Sequence, residues 1–380
     1  MVAADGARSA IRTLLDLKLE GASYEGRFVI ADIRIDLDLP TERLAYFDPV
    51  WNPGNTVLMH REPGNIWRID YQLPENETPE QALQPESLRE RINAQLEMLG
   101  VENPKWEMDW SSVYSARALT LPDYIHKRVI FAGDAAHLLP IFGVRGANTG
   151  FQDCHDLVWK LALTIKGLAG SKLLHSYTED RISAVREIIN EAGKSTRFMT
   201  PPTPGYRLVR DAVLSLSLTH EFVRPLYHWR TSRPHDHANS ILNCPADDND
   251  RFSKGPRSGA PMFNIKLAEN DYLFDRLGPS FYLLYFSDSA SIPSDLLDQA
   301  NAIRSAGIPF QIIAVVPNAQ AGVKGADQLI EDACGHIASK YGITQKGAYL
   351  VRPDQHICAR WQHLSAEQLR NAVDIALGRD

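Results

Sequence analysis

The chain has 380 residues, 44% of them apolar, and a formal net charge of -7. That length suggests two or three domains with a sizeable core, and the acidic balance argues against a nucleic-acid partner or an acidic membrane surface. No apolar run approaches a membrane span, "VAADG" after Met1 offers no signal peptide, and four scattered cysteines without a CxxC fit a reducing cytoplasm rather than a zinc or dithiol site.

Taken in chain order, "MVAADGARSAIRTLL" reads as a strand end at residues 2–4, a turn at Asp5-Gly6 and a helix over 7–15. A strand end is an odd place for a domain to open, because a sheet needs neighbours. Residues 24–115 are mostly β. "FVIADIRID" alternates apolar and polar residues, the sign of a half-buried strand. "NTVLMHREPGNIWRIDYQL" is a candidate hairpin turning at Glu62-Pro63-Gly64-Asn65. "TPEQALQPESLRERINAQLEMLG" is helical in part, and "WEMDWSSVYSARAL" returns to strand.

Two helices follow the stretch "RVIFAGDAAHLLPIFGVRGANTGFQD". In the first, Phe151, Cys154, Leu157, Val158, Leu161 and Ile165 form one apolar stripe; the second is long and starts near Ser171. Prolines and mixed helical fragments make residues 201–256 a connector, with "PADDNDRFSKGPRSGAP" as its linker. Beyond it, "SFYLLYFS", "FQIIAVVP" and "AYLVRPD" are short apolar strands, with "HICARW" a further candidate. Helical runs at "SDLLDQANAIRSAG", "GADQLIEDACGHIASKYG" and "SAEQLRNAVDIALG" alternate with them, which implies a small α/β domain.

The chemistry concentrates in residues 128–153. A buried strand ends in Gly133 and Asp134, where glycine lets a ligand approach the backbone and the carboxylate can accept hydrogen bonds from sugar hydroxyls. Pro140, Gly143, Gly146 and Asn148 then shape a loop with little bulk. Gly146-Ala147-Asn148 leads into a helix, whose N–H groups can hold an electron-rich atom. The plain alternative is a strand-loop-helix connection with an ordinary N-cap at Asn148 or Thr149.

"GDAAHLLPIFGVRGANTGFQDCHDLVWKLA" resembles the second flavin-binding motif of the FAD-dependent aromatic hydroxylases, the class A flavoprotein monooxygenases. "VAADGARSAIR" resembles that family's DG motif, and "FGVRGANTG" looks most like the phenol and 3-(3-hydroxyphenyl)propionate hydroxylase branch. The resemblance covers about residues 2–202. It implies a mixed α/β fold of the para-hydroxybenzoate-hydroxylase type, with a flavin domain from residues 1–23 and 116–200 and a substrate sheet over 24–115. A helical connector (201–256) and a thioredoxin-like α/β domain (257–380) complete it. The implied cofactors are FAD and NAD(P)H as reductant, and the implied partner is a small aromatic substrate. A homo-oligomer is compatible with the tail.

By the same resemblance Asp134 would bind the ribityl or pyrophosphate side of FAD, and the N–H groups at Gly146, Ala147 and Asn148 would face the flavin's pyrimidine edge. Asp5 and Gly6 would sit near the cofactor, and Arg8 would reach a pyrophosphate or else be a solvated surface arginine. Tyr46, Trp67, Tyr71 and Trp110 would line an aromatic pocket or be ordinary core. His60 would relay a proton, and His137 would hold the loop. The chain departs from the family where Ile141 replaces the second of two prolines; its carbonyl could still serve at the pocket. It contains no GxGxxG, the cradle for the ADP half of FAD. That omission leaves two expectations open beside the hydroxylase: a fragment or remnant serving as a binding or oligomerisation module, and a flavoprotein without oxygen transfer. Without the cysteine pair of a working thioredoxin, the tail cannot exchange disulfides, and Cys334 and Cys358 are expected as buried packing residues.

Overall fold

The computed structural model describes every residue except 75, 141, 143, 144, 228–233, 246, 289, 320, 321 and 380, with the side chains of 23–25 and 116 also left aside. The chain opens with β1 (Val2–Ala3) and α1 (Ala10–Leu14). The helix is shorter than its sequence pattern because Ser9 caps it, accepting the Arg12 N–H at 3.0 Å.

A long antiparallel sheet follows. Its strands are β2 (Glu20–Arg34), β3 (Leu44–Phe47), β4 (Thr56–Glu62) and β5 (Ile66–Gln72). The β4–β5 hairpin turns where the sequence places it, with Gly64 and Asn65 both at positive φ. Two helices, α2 (Pro79–Ala82) and α3 (Pro85–Met98), lead to β6 (Glu107–Thr120). Alternation sorts the two faces. Val29, Ala31, Ile33, Met59, Trp67, Ile69 and Tyr71 point to one side and pack against Leu88, Ile92 and Leu96 of α3. Phe28, Leu58 and their cross-strand partners point to the other.

Next come β7 (Ile125–His126), β8 (Val129–Phe131) and β9 (His137–Leu138), then α4 (Gly146–Ile165), α5 (Ser171–Met199) and α6 (Pro204–Ser217). β1, β8 and β7 form a small sheet of their own, whereas β9 joins the end of β6. The large sheet therefore runs in the order β3-β4-β5-β2-β6-β9 and reaches the segment that carries the glycines.

Past α6, a two-stranded ribbon of β10 (Lys266–Ala268) and β11 (Asp271–Tyr272) precedes the C-terminal unit. This contains β12 (Phe281–Phe286), α7 (Ser294–Ser305), β13 (Phe310–Val316), β14 (Gln328–Glu331), α8 (His336–Lys340), β15 (Gly347–Val351), β16 (Ile357–Trp361) and α9 (Ala366–Ala376). The sheet order is β14-β13-β12-β15-β16, parallel among the first three and antiparallel thereafter. "GADQLIEDACGHIASKYG", expected as one helix, instead supplies an edge strand and a five-residue helix. Cys358 is buried as expected, but Cys334 lies in the turn before that helix and is exposed. Trp159 and Leu163 of α4 enter the core of this C-terminal sheet, and Trp159 meets Phe281 edge-on at 5.6 Å.

Candidate functional site

The two motifs meet through strand pairing. β1 and β8 run parallel, with Val2 opposite Ile130 and Ala3 opposite Phe131, and the Ala132 N–H reaches Ala3 O at 3.0 Å. The turns at Asp5-Gly6 and Gly133-Asp134 thus leave the carboxyl ends of neighbouring parallel strands side by side, the usual place for a ligand on an α/β sheet. Arg12 ties them together. Its guanidinium donates to Ala135 O at 2.9 Å and to Ala7 O at 2.7 Å. Asp5 spends its carboxylate locally, accepting the Ser9 hydroxyl at 2.6 Å and the Ile11 N–H at 3.1 Å. The Ser9 hydrogen bond is the main reason its pKa lies below the ordinary value. Arg8 is exposed.

The second turn is anchored by a buried carboxylate. Gly133 adopts φ +60°, a conformation that favours glycine. Its N–H donates to Asp153 Oδ2 at 2.8 Å, and His137 Nε2 bonds the same oxygen at 2.7 Å. Arg181 Nε donates to Asp153 Oδ1 at 2.8 Å. Asp153 is fully buried on the first turns of α4, so one side chain fixes the turn, the β9 strand and α5 together. Burial alone would raise its pKa, but the His137 hydrogen bond and the Arg181 charge outweigh that, and the carboxyl titrates below its usual range. His137 is the loop-holding residue the sequence suggests. At the same crossing a Cβ on Gly150 would lie 3.5 Å from Gly133 Cα, so the two backbones are in contact.

Around this anchor the surface is open. Asp134 is exposed at the strand end, and α4 begins with Gly146, Ala147 and Asn148 and has no acidic residue in its first turn. A Cβ at Gly146 or at Gly6 would meet nothing within 4 Å. Pro140 is buried, while Ile141 and Gly143 lie outside the described residues. An exposed carboxylate, two open glycines and a helix mouth fit the ribityl chain and pyrimidine edge of a flavin. The connecting loop is held down on the sheet, where Phe142 meets Phe28 edge-on at 5.1 Å and packs with Leu58. Tyr114 donates its hydroxyl to Leu139 O at 2.9 Å, and burial, followed by the charge of Asp134, raises its phenol pKa.

The sheet face beneath that loop is not the one the aromatic residues occupy. Trp67 and Tyr71 are buried on the α3 side, and Tyr46 packs against the same core. Trp110 pairs with Asp32 and is half-exposed. His60 alternates onto the face shared by Phe28 and Leu58. Its Nε2 lies 3.2 Å from Glu62, its Nδ1 has no hydrogen-bond partner among the described residues, and burial, with Arg43 next, lowers its pKa. Two places along this face is Asp70, buried, with Oδ1 unpartnered among the described residues and its pKa pushed up to about 7 by burial. Asp32 and Arg68 beside it form a two-pronged pair at 2.7 and 2.8 Å.

Sequence reasoning passed over Arg12, Asp70, Asp153 and Arg181. The first and third lie inside the quoted motifs. The signal that could have found Asp153 is the spacing of an acid on the same helix as the glycines, within reach of the strand they follow. α4 also departs from its expected packing: Phe151, Cys154, Val158 and Ile165 are exposed, while Asp153, Asp156 and Lys160 are buried. Lys160 bonds Asp156 at 2.9 Å and Asp180 at 3.0 Å, and Arg352 of the C-terminal unit lies 3.8 and 3.7 Å from the same two acids. Arg352 and Asp354 do tie their own turn, at 2.8 Å, and Asp354 also accepts the Trp159 N–H at 3.1 Å.

Strand ends, turns and sheet together define the FAD-dependent aromatic hydroxylase fold. Residues 1–192 match the FAD binding domain family, and the chain belongs to it. A 3-(3-hydroxy-phenyl)propionate/3-hydroxycinnamic acid hydroxylase of Comamonas testosteroni is 32% identical over 216 residues, covering 56% of this chain and 35% of that protein. The protein of the same description in Mycolicibacterium smegmatis is 26% identical over 381 residues, covering 98% of this chain and 65% of its own length. The chain therefore spans between about a third and two thirds of these relatives. Among solved structures, the flavin-dependent monooxygenase PieE in complex with FAD and substrate matches with a TM-score of 0.78 at 21% identity, over 100% of this chain and 70% of that one. Aklavinone-11 hydroxylase with FAD and aklavinone matches with 0.72 at 22%, over 100% and 67%. Among the described residues no helix is long and apolar enough to cross a membrane.

Proposed function

We propose that the protein serves FAD-dependent hydroxylation of a small phenolic or other aromatic substrate, with NAD(P)H as reductant and O2 as co-substrate. The observation that carries this reading is the parallel pairing of β1 with β8, which sets Asp5-Gly6 beside Gly133-Asp134 and is locked by Arg12. Asp134 and the N–H groups at the mouth of α4 would hold the flavin, with Gly6 and Gly146 leaving it room. Bound there, FAD would supply the oxygen activation that no side chain can.

The chain's own residues would shape the pocket. Phe28, Leu58 and Phe142 give the ring an apolar bed that excludes water. His60, kept neutral by burial and with a nitrogen unpartnered among the described residues, would accept the proton of a phenol and so activate its ring. Asp70, on the same face beside Arg68, would be protonated or ionised according to pH and so change the charge of the pocket wall. We read the C-terminal unit as thioredoxin-like and structural, welded to the flavin region through Lys160, Asp156, Asp180 and Arg352. The exposed stripe of Phe151, Val158 and Ile165 supports a homo-oligomer. The test is NAD(P)H oxidation at saturating FAD, with a panel of phenols and mass detection of the hydroxylated product. Phenol-stimulated oxidation with a product heavier by one oxygen atom supports the proposal; no stimulation by any phenol with either nucleotide refutes it.

A further inference from the structure

A cavity of about 680 Å³ lies between α4, α5 and the C-terminal unit and is lined in part by Arg181, which pairs with Asp153. That volume is in the ordinary range of small-molecule sites, about 300–1,000 Å³. Pro261, Met262, Phe263 and Phe274 give it apolar walls. Four imidazoles line it, His155 and three in a row: His235 and His237 have ring centres 5.0 Å apart, and His237 and His356 4.5 Å apart.

Two of these rings carry a nitrogen without a hydrogen-bond partner among the described residues. His237 is 4% exposed, and its Nδ1 has no hydrogen-bond partner among the described residues. His235 gives Nδ1 to Glu187 at 2.5 Å, and its buried Nε2 has no partner among the described residues. Buried polar atoms are nearly always satisfied, so adjacent orphans in the wall of a cavity point to a ligand that supplies what they lack. Because Nδ1 of His235 faces a carboxylate, it carries the proton, and Nε2 is left as an acceptor that asks for a hydroxyl donor. His237 Nδ1 can donate when it carries the ring proton, and Lys340 adds positive charge to the lining, whereas Arg181 is already paired with Asp153, so an anion at the Lys340 end is the complement. The acids that also reach the cavity lie against cations, Asp354 against Arg352 and Asp156 against Lys160, but Asp156 Oδ1 has no hydrogen-bond partner among the described residues and itself asks for a donor.

We propose that this cavity is a second binding site, distinct from the flavin site, and that it takes a small hydroxyaromatic carboxylate. The ring lies against Met262, Phe263 and Phe274, the hydroxyl donates to His235, and the carboxylate faces His237 and Lys340. Arg181 belongs both to this lining and to the anchor of the Gly133 turn, so the site shares a wall with the flavin-side architecture.

Calorimetric titration of the full chain, without flavin or nucleotide, tests the site independently of any hydroxylase activity. The probes are 3-hydroxybenzoate, benzoate and 3-hydroxybenzyl alcohol. The first should bind at least tenfold more tightly than either of the others, which lack the hydroxyl and the carboxylate respectively. Lys340→Glu, at an exposed position that does not threaten folding, should weaken 3-hydroxybenzoate about tenfold. Met262→Trp, checked for an unchanged melting profile, should abolish binding by filling the space. Equal affinity for the three probes, no binding, or binding untouched by both substitutions would overturn the proposal; the last result would place the ligand elsewhere, on the Phe28 face.

Discussion

Replacing Asp153 by Asn isolates the anchor of the site. The amide keeps the shape and can still accept the Gly133 N–H, but it removes the charge that balances Arg181, itself 2% exposed. Breaking a buried ion pair from one side typically costs about 3–5 kcal/mol, because the remaining charge stays desolvated. The loss of strength in the His137 hydrogen bond falls within the same figure, since the two act on one carboxylate and do not add. Against a total stability of roughly 5–15 kcal/mol, the substitution should lower the urea midpoint of the flavin region sharply at an unchanged slope. The pH dependence gives a second reading. The folded carboxyl titrates below its ordinary value of 3.8, so its contribution is complete above that value and is lost as pH falls through the folded pKa. The difference between the Asp153→Asn variant and the parent protein should therefore be full at pH 7 and shrink below about pH 4. A loss under about 1 kcal/mol at pH 7, or one that does not shrink in acid, would refute the reasoning.

Other substitutions test the buried groups with the opposite sign. Asp70 keeps its proton in the folded state up to about pH 7, so it destabilises progressively as pH rises from 3.8 through that value. Asp70→Asn should stabilise at pH 8 by on the order of 1–4 kcal/mol and be neutral near pH 3.5; equal melting temperatures at pH 8 would contradict this. His235 and His237 have pKa values lowered chiefly by burial, so the stability they contribute is lost as pH falls below their unfolded value of 6.5. His237→Gln should flatten the decline in melting temperature between pH 7 and pH 5, and an unaltered decline would count against neutral, buried imidazoles there.

What the sequence displayed best was local. The glycine-acid turn after β8, the presence of a helix after Asp5-Gly6 (though not its Ser9 cap and shorter span), and the β4–β5 hairpin each follow from residues within a few places of one another. What it hid depends on distant partners. Two aspartates and a lysine on α4, Asp153, Asp156 and Lys160, have the composition of a solvated face and become a buried one only because Arg181, Arg352 and Asp180 arrive from elsewhere to neutralise them. The apolar residues at 151, 158 and 165 share one stripe, which amphipathic packing alone would turn toward a core, and they lie outward. Gln328–Glu331 has no strong helix or strand signature of its own; it is strand because the edge of β13 offers it hydrogen bonds. In the candidate site, Trp67 and Tyr71 alternate onto the α3 side, whereas His60 alternates onto the opposite face, a distinction that register settles and composition does not.

The most direct test of the flavin site is a comparison of FAD with FMN, followed by the quenching of flavin fluorescence as protein is added. The proposed cradle addresses the ring and ribityl chain, and no GxGxxG for an adenosine diphosphate half occurs among these 380 residues. Both flavins should therefore bind weakly, with dissociation constants on the order of 10 μM to 1 mM and within about threefold of each other. Asp134→Ala should weaken each at least tenfold. Absence of quenching by either flavin up to millimolar protein, or affinities that Asp134→Ala leaves unchanged, would contradict the assignment of this cradle to a flavin.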